Sequence, residues 1–203
     1  IQAWSRFKPL ENRAWNDGPL TRRERGQLNE AVRLWEEAAE EDHLNAQFNL
    51  GSLYYYGYFL EKNHNKAVEW FTKASECGHC KSQHYLGCMY YMGQGVIRDF
   101  KKAIYWISKS TQNANVWEHS SIIKENNIIL VRIYYHGYGV RVNYKKAFDL
   151  YERSAVVDNN PEAQDVIGTM FLNGWGGVKK NYRTAYKWFK KGANNGDSNA
   201  QFN

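Results

Sequence analysis

Two short patterns alternate along the chain with a period of about 36 residues, and a period of roughly 20 to 50 marks an architecture of stacked repeats. The first pattern is "AQFNLGSLYYYGYFL" (46–60), then "SQHYLGCMYYMGQGV" (82–96), "NIILVRIYYHGYGV" (127–140) and "AQDVIGTMFLNGWGGV" (163–178). The second is "NKAVEWFTKAS" (65–75), then "KKAIYWISKS" (101–110), "KKAFDLYERSA" (145–155) and "RTAYKWFKKGA" (183–193). Each has the length of a short helix, so the chain reads as consecutive helix pairs. A copy of the second pattern, "NEAVRLWEEAA" (29–39), stands ahead of them, and "AQFN" at 200–203 repeats 46–49. The expected organisation is a leading segment, 1–28, and one repeat domain, 29–203. The domain holds a partial unit at 29–45, full units at about 46–81, 82–125, 126–162 and 163–199, and a truncated unit at 200–203.

The residue types say how the helices meet. Gly51, Gly87 and Gly168 recur in the first helices and Ala67, Ala103, Ala147 and Ala185 in the second. Small residues at these positions let two backbones approach and share one apolar layer. Tyr54, Tyr90, Tyr134 and Phe171 are expected to fill that layer. Trp70, Trp106 and Trp188, with Leu150 at the matching site, are expected to pack the second helices. The segments "GQGV", "GYGV" and "GWGGV" should end first helices, because glycine takes the left-handed conformation of a helix C-terminus without a steric cost.

The composite pattern A-x-x-x-L-G-x-x-Y-x-x-G-x-G-V, a short turn, then K-A-x-x-W-[FY]-x-K-A-A resembles the Sel-one-like repeat (SLR), a relative of the tetratricopeptide repeat, over about residues 29 to 203. The resemblance implies an all-α fold, a right-handed α-solenoid or superhelix whose first helices line a concave surface. It implies a non-enzymatic scaffold for protein–protein contacts, acting as an adaptor in secretion, signalling, host interaction or protein quality control. It implies no catalytic residues and no cofactor. The cysteine-rich branch of the family places its disulfide at positions that are here Ser75 and Gln83, so that bridge is absent. The chain departs from the pattern twice. Val131 replaces the glycine of the third full unit, and "NANVWEHSS" (113–121) adds about eight residues before it. That insertion is either an inert loop or a contact presenting Trp117.

Composition narrows the class. Hydrophobic residues make up 43% and only three prolines occur, as expected of a globular, helical chain. No apolar run approaches the roughly 18 residues of a membrane span, and "IIKENNIILV" is interrupted by Lys124 and Glu125. The chain starts at Ile1 with no signal-peptide pattern. A start without methionine suggests a fragment whose targeting segment lies outside it, so the compartment stays open.

All three cysteines and two of the six histidines fall in "ECGHCKSQHYLGC" (76–88). Cys77, Cys80, His84 and Cys88 read as C-x2-C-x3-H-x3-C, and zinc takes four such ligands in a tetrahedron. A disulfide clasp is a second reading, and unpaired cysteines at a helix junction a third. Cys80 and Cys88 on one intact helix stand about 12 Å apart along its axis, too far to share an ion. A zinc site therefore requires the helix to start after Cys80.

Register places a set of first-helix residues on the concave face: Phe48, Tyr55 and Tyr56, then His84, Tyr91 and Met92, then Arg132, Tyr135 and His136. Tyr55, Tyr91 and Tyr135 are equivalent and form an expected ladder that Leu172 continues. Such a row suits a partner peptide, helix or domain, since tyrosine offers broad apolar area with a polar tip. The other reading is that these rings pack against neighbouring units. The stretch "KKNYRTAYKWFKK" (179–191) carries six basic residues and no acidic one. Nucleic acid or an anionic membrane is the alternative partner there. Tyr186, Trp188 and Phe189 are expected to be at least partly buried, which leaves a solvated basic face without stacking platforms. No G-x-S-x-G, P-loop, H-E-x-x-H or dinucleotide motif occurs, so a binding scaffold leads over an enzyme.

Overall fold

The described residues, 21–57, 60–115 and 118–196 of the computed structural model, contain nine helices and no strand. They are α1 (Arg22–Glu40), α2 (Leu44–Tyr56), α3 (His64–Glu76), α4 (Cys80–Met92), α5 (Phe100–Asn113), α6 (Ser120–His136), α7 (Tyr144–Val156), α8 (Pro161–Asn173) and α9 (Tyr182–Asn194). Four full pairs follow the single helix α1. Side-chain caps start the second helices: Asn63, Asp99, Asn143 and Asn181 each accept from a backbone N–H of the first turn. These are donors that no intrahelical carbonyl reaches. Each first helix stops at a left-handed glycine, as at Gly93 and Gly174, both with φ of 75°. The turn is then braced identically in every pair. The cap residue's N–H donates to the carbonyl of the layer aromatic, Asn63 to Tyr54 (2.9 Å), Asp99 to Tyr90 (3.0 Å), Asn143 to Tyr134 (2.8 Å) and Asn181 to Phe171 (2.9 Å).

Two compact bodies divide the chain, Ile1–Ala114 and Asn115–Asn203. In the N-terminal body, Trp35, Leu50 and Leu53 form a core between α1 and α2, and Phe71, Leu86 and Met89 form one between α3 and α4. In the C-terminal body, Phe148, Ile167 and Met170 form the core of α7, α8 and their neighbours. The helix glycines sit at the closest approach within a pair. A Cβ on Gly51 would lie 2.6 Å from the Phe71 ring, and one on Gly168 2.6 Å from the Phe189 ring. A Cβ on Gly87 would overlap Ile107 Cγ1 and meet the Ile107 backbone nitrogen at 3.1 Å. In the third pair Val131 takes the glycine's place, and Tyr151 stands where the other pairs have Phe71, Ile107 and Phe189. The layer tyrosines carry a cation on their outer face: Lys66 over Tyr54 (4.9 Å), Lys102 over Tyr90 (5.1 Å) and Lys146 over Tyr134 (4.9 Å). The fourth pair has Phe171 and Thr184 at these positions, so ring and cation change together.

Within each body a buried glutamine pins a first helix to the helix before it. Gln47 Nε2 donates to the Ala39 carbonyl (3.0 Å), Gln83 to Ser75 (2.9 Å) and Gln164 to Ala155 (3.0 Å). Each thereby adds a side-chain donor to a carbonyl in the last turn of the preceding helix. Gln83 and Ser75 are the two positions that the resemblance assigns to a disulfide, and here a hydrogen bond from the Gln83 amide to the Ser75 carbonyl joins them. Gln83 Oε1 accepts from Asn113 (3.0 Å) and Gln164 Oε1 from Asn195 (2.9 Å). Counted from Ala67, Ala103 and Ala185, the position of Asn113 and Asn195 is Cys77 in the first pair. Gln47 Oε1 is accordingly buried with no hydrogen-bond partner among the described residues.

Two boundaries differ from those expected. Helix α1 begins at Arg22, ahead of the boundary at 29, because Thr21 and Glu24 form a reciprocal capping box. Helix α6 begins at Ser120, inside the stretch assigned to the second unit (82–125) and to the insertion. The inserted residues are split between the link after Asn113 and a longer helix of 17 residues, against 13 in α2, α4 and α8. Trp117 and the truncated unit at 200–203 lie outside the described residues.

Replacing Gly87 by leucine should cost on the order of 1 to 3 kcal/mol or more, because Ile107 fills the space and its backbone cannot retreat. Thermal melts will show it as a lowered midpoint. Cys77→Asn should do the opposite, supplying the missing donor to Gln47 Oε1 and raising stability by about 1 kcal/mol. The companion change Asn113→Cys should lower it by a similar amount.

Candidate functional site

Helical register decides which first-helix side chains can be reached. In the N-terminal body Tyr56 (40%) and Met92 (51%) are exposed, while Phe48, Tyr55 and Tyr91 are half-buried. His84 and Cys88 are buried, with Cys88 Sγ 3.7 Å from His84 Nε2. In the C-terminal body Arg132, His136 and Leu172 are exposed and Tyr135 is half-buried. His84 therefore offers almost no surface, and the reachable members are Tyr56, Met92, Arg132, His136 and Leu172.

The tyrosine ladder is a joint as well as a surface. Each ladder ring packs against the first residue of its own second helix: Tyr55 on His64 (5.5 Å between centroids), Tyr91 on Phe100 (5.7 Å) and Tyr135 on Tyr144 (5.5 Å). Tyr55 also donates from Oη to Gln94 Oε1 (3.2 Å), and Tyr135 meets the Trp175 ring (6.3 Å), so both touch the turn of the following pair. The reading in which ladder rings pack against neighbouring units describes these contacts. Tyr85, which register did not single out, is the hub of the N-terminal aromatic group. It stacks on Phe71 (5.2 Å), meets Phe48 (5.9 Å) and Tyr55 (5.4 Å), and its hydroxyl lies 2.6 Å from that of Tyr56. Its signal was weak because Asn49 stands at the equivalent position one pair earlier.

Beside α2 opens a cleft of about 1000 Å3. Leu34, Trp35 and Ala38 of α1 and Leu44, Ala46 and Phe48 of α2 supply its apolar lining. Glu37 and Glu41 stand on one side, and His43, His79 and Lys81 also line it. Phe48 is fixed in the cleft from two directions, with the His79 ring 5.1 Å away and Lys81 Nζ 6.0 Å from its centroid. Phe48 is the expected contact residue found here. Leu34 and Trp35 belong to the leading helix, where the repeat pattern gave no register for a surface.

The cysteines are in the thiol form, Cys77 exposed and Cys80 and Cys88 buried. Helix α4 starts at Cys80, which puts Cys80 and Cys88 on one intact helix. No group of three or more metal-ligating side chains occurs among the described residues. On α9 one expectation is corrected. Trp188 is half-buried and Phe189 buried, but Tyr186 is 61% exposed, as is Tyr182 at 69%. In the preceding pair the matching residues, Tyr144 and Phe148, lie under the turn at Gly176, whose Cβ would come within 2.7 Å of Phe148 Cβ. No described turn covers Tyr182 and Tyr186.

Burial pushes the Tyr151 hydroxyl up to about 12, with Glu162 and Tyr135 adding to the rise and Arg132 opposing it. Tyr55 and Tyr135 are raised by the same cause. A tyrosine raised in the folded state stays neutral there while the unfolded chain ionises. Its contribution is therefore whole below the ordinary value of 10 and is lost as pH climbs from 10 towards about 12. Melting temperature should fall across that alkaline window, and Tyr151→Phe should flatten part of the fall. An unchanged slope would remove Tyr151 from the explanation.

A family model described as Sel1 repeat matches residues 23–43, 44–79, 80–115, 132–155 and 161–197. It passes over 116–131, the stretch that holds most of the insertion and Val131. Among solved structures, a protective antigen present in uropathogenic Escherichia coli strains and displaying an SLR fold is 31% identical, with a TM-score of 0.68 over 86% of this chain and 35% of its own. A Sel1 repeat protein from Oxalobacter formigenes is 26% identical, with a TM-score of 0.63 over 85% of this chain and 65% of its own. The chain thus spans 35% of the first relative's length and 65% of the second's. No curated protein gives a significant match.

Proposed function

Because the chain belongs to the Sel1 repeat family, we propose that it is a scaffold for another protein, and that the cleft between α1 and α2 holds a peptide segment of that partner. The observation that carries this is the cleft itself, about 1000 Å3, lined by Trp35, Leu34 and Phe48 with charges of both signs among its lining residues. Pockets that retain a ligand of this size are largely apolar with a few placed polar groups, and aromatic side chains held rigidly lose little entropy on binding. Phe48 is such a group. An apolar anchor of the partner would sit on Phe48 and Leu34, a basic residue would face Glu37 and Glu41, and an acidic one would face Lys81. Tyr56 and Met92 extend the surface along the same body. Secretion, signalling, host interaction and protein quality control are the settings that fit an adaptor of this kind. Among the described residues no helix is long and apolar enough to cross a membrane.

Selection of a displayed peptide library on the intact chain tests the reading. Retained peptides should carry a leucine or aromatic anchor next to a basic residue. Phe48→Ala and Leu34→Asp should weaken them by about tenfold or more per folded molecule, as expected of a central apolar contact, and should also lower the melts because both side chains pack on the neighbouring cores. Peptides that bind both variants as well as the wild type would place the partner elsewhere.

A further inference from the structure

The formal charge of the chain is concentrated in one place. Residues 166–196 hold six basic residues and no acidic one, while the other 21 basic residues are matched by all 21 acidic residues. The whole net charge of +6 therefore sits on that segment. Its six cations are Lys179, Lys180, Arg183, Lys187, Lys190 and Lys191, all exposed, and none is in an ion pair among the described residues.

Two other helices, α1 and α7, pair the cations of their outer faces, whereas α5, with Lys101, Lys102 and Lys109, has no acidic residue of its own. In α7, Lys145 is followed four residues later by Asp149, and the two pair at 2.7 Å. In α1, Arg33 lies between Glu30 and Glu37 and bonds to both. In α9 the positions of Lys145 and Asp149 are taken by Arg183 and Lys187, so a stabilising pair becomes a like-charged one. Lys190 and Lys191 continue the same side of the helix.

We propose that the exposed basic face of α9 is a docking strip for an acidic segment of a partner protein, a reading that rests on the scaffold function above. Arg183, Lys187 and Lys190, spaced by four and three residues, present a row of cations along a helix about 20 Å long. A partner segment with carboxylates at helical spacing meets that row and relieves the repulsion between Arg183 and Lys187. A protein segment is the occupant because the scaffold reading supplies protein partners and the cations stand at helical spacing. Tyr182 and Tyr186 stand exposed beside the row, and bases stack on such rings, so an oligonucleotide is the competing ligand that the experiment sets against the acidic peptide. A lipid surface is entered by apolar side chains; Ala185 and Phe189 of α9 are buried, which leaves the two exposed tyrosines, so vesicles are the second competing ligand.

Fluorescence anisotropy on the intact chain decides it, with a labelled peptide of about 16 residues rich in glutamate and aspartate as the probe, long enough to match the helix. Binding should weaken as salt rises. It should fall by about tenfold or more in the double variant Arg183→Glu, Lys187→Glu and less in Arg183→Gln, Lys187→Gln, while Lys101→Glu on α5 leaves it unchanged. A single-stranded oligonucleotide of equal charge and vesicles containing phosphatidylserine should bind more weakly. The proposal is overturned if charge reversal leaves the acidic peptide unaffected, or if oligonucleotide or vesicle binds more tightly through the same residues. Library peptides that occupy the cleft should bind the double variant normally. If those peptides bind and the acidic one does not, the strip alone falls. If the acidic peptide behaves as expected and the cleft yields no binder, the cleft reading falls and the strip stands.

Discussion

The fold depends on how closely the two helices of a pair can approach. At Gly51, Gly87 and Gly168 the opposing side chain, Phe71, Ile107 or Phe189, occupies the volume a Cβ would need. Close packing over that contact recovers dispersion energy along the whole helix face, since each small gap would forfeit it for every lining atom. The contact also fixes the rotation of each first helix about its axis. Once the glycine faces inward, Tyr56 and Met92 must face outward and Leu53 and Met89 must be buried. The third pair shows the converse. With Val131 at the contact, Tyr151 is left half-buried with its hydroxyl pushed up, and the family pattern passes over the first part of α6.

Apolar packing alone would permit neighbouring pairs to slide. Directional bonds prevent it, because a buried amide left unpaired costs about 1 to 3 kcal/mol and tolerates only one partner geometry. Gln47, Gln83 and Gln164 each bind the end of the preceding helix, and Asn113 and Asn195 hold the latter two amides from the far side. Tyr55 adds a hydrogen bond and Tyr135 a ring contact to the next turn. Within each body the seams are thus held by directional bonds. Seams held this way suit a scaffold, whose surface residues then meet a partner with little ordering cost.

Those surfaces differ in chemistry. The cleft beside α2 is apolar with charges of both signs, while α9 carries cations without anions. The glutamine and asparagine networks at the seams are neutral amides, so those seams need no charge. In α7 and α1 the surface charges form local pairs. In α9 they do not.

The amino-acid sequence by itself determined the repeat, the number of pairs, the glycine contacts, the aromatic layer and the left-handed helix ends. These are local patterns copied several times, and each copy confirms the register of the others. Only the tertiary structure decided what covers each face. Periodicity assigns a side chain to a side of its helix, but the neighbour on that side is set by crossing angle and by the next pair. Hence Tyr55 and Tyr135 share a register with an open surface yet reach the following turn, His84 is buried on that same side, and Tyr186 is exposed where Phe148 is covered. The extra turn of α6 escaped the pattern because it lies outside the repeated part. The cleft escaped it because residues from α1, α2 and the start of α4, distant in sequence, meet there only after the helices have packed.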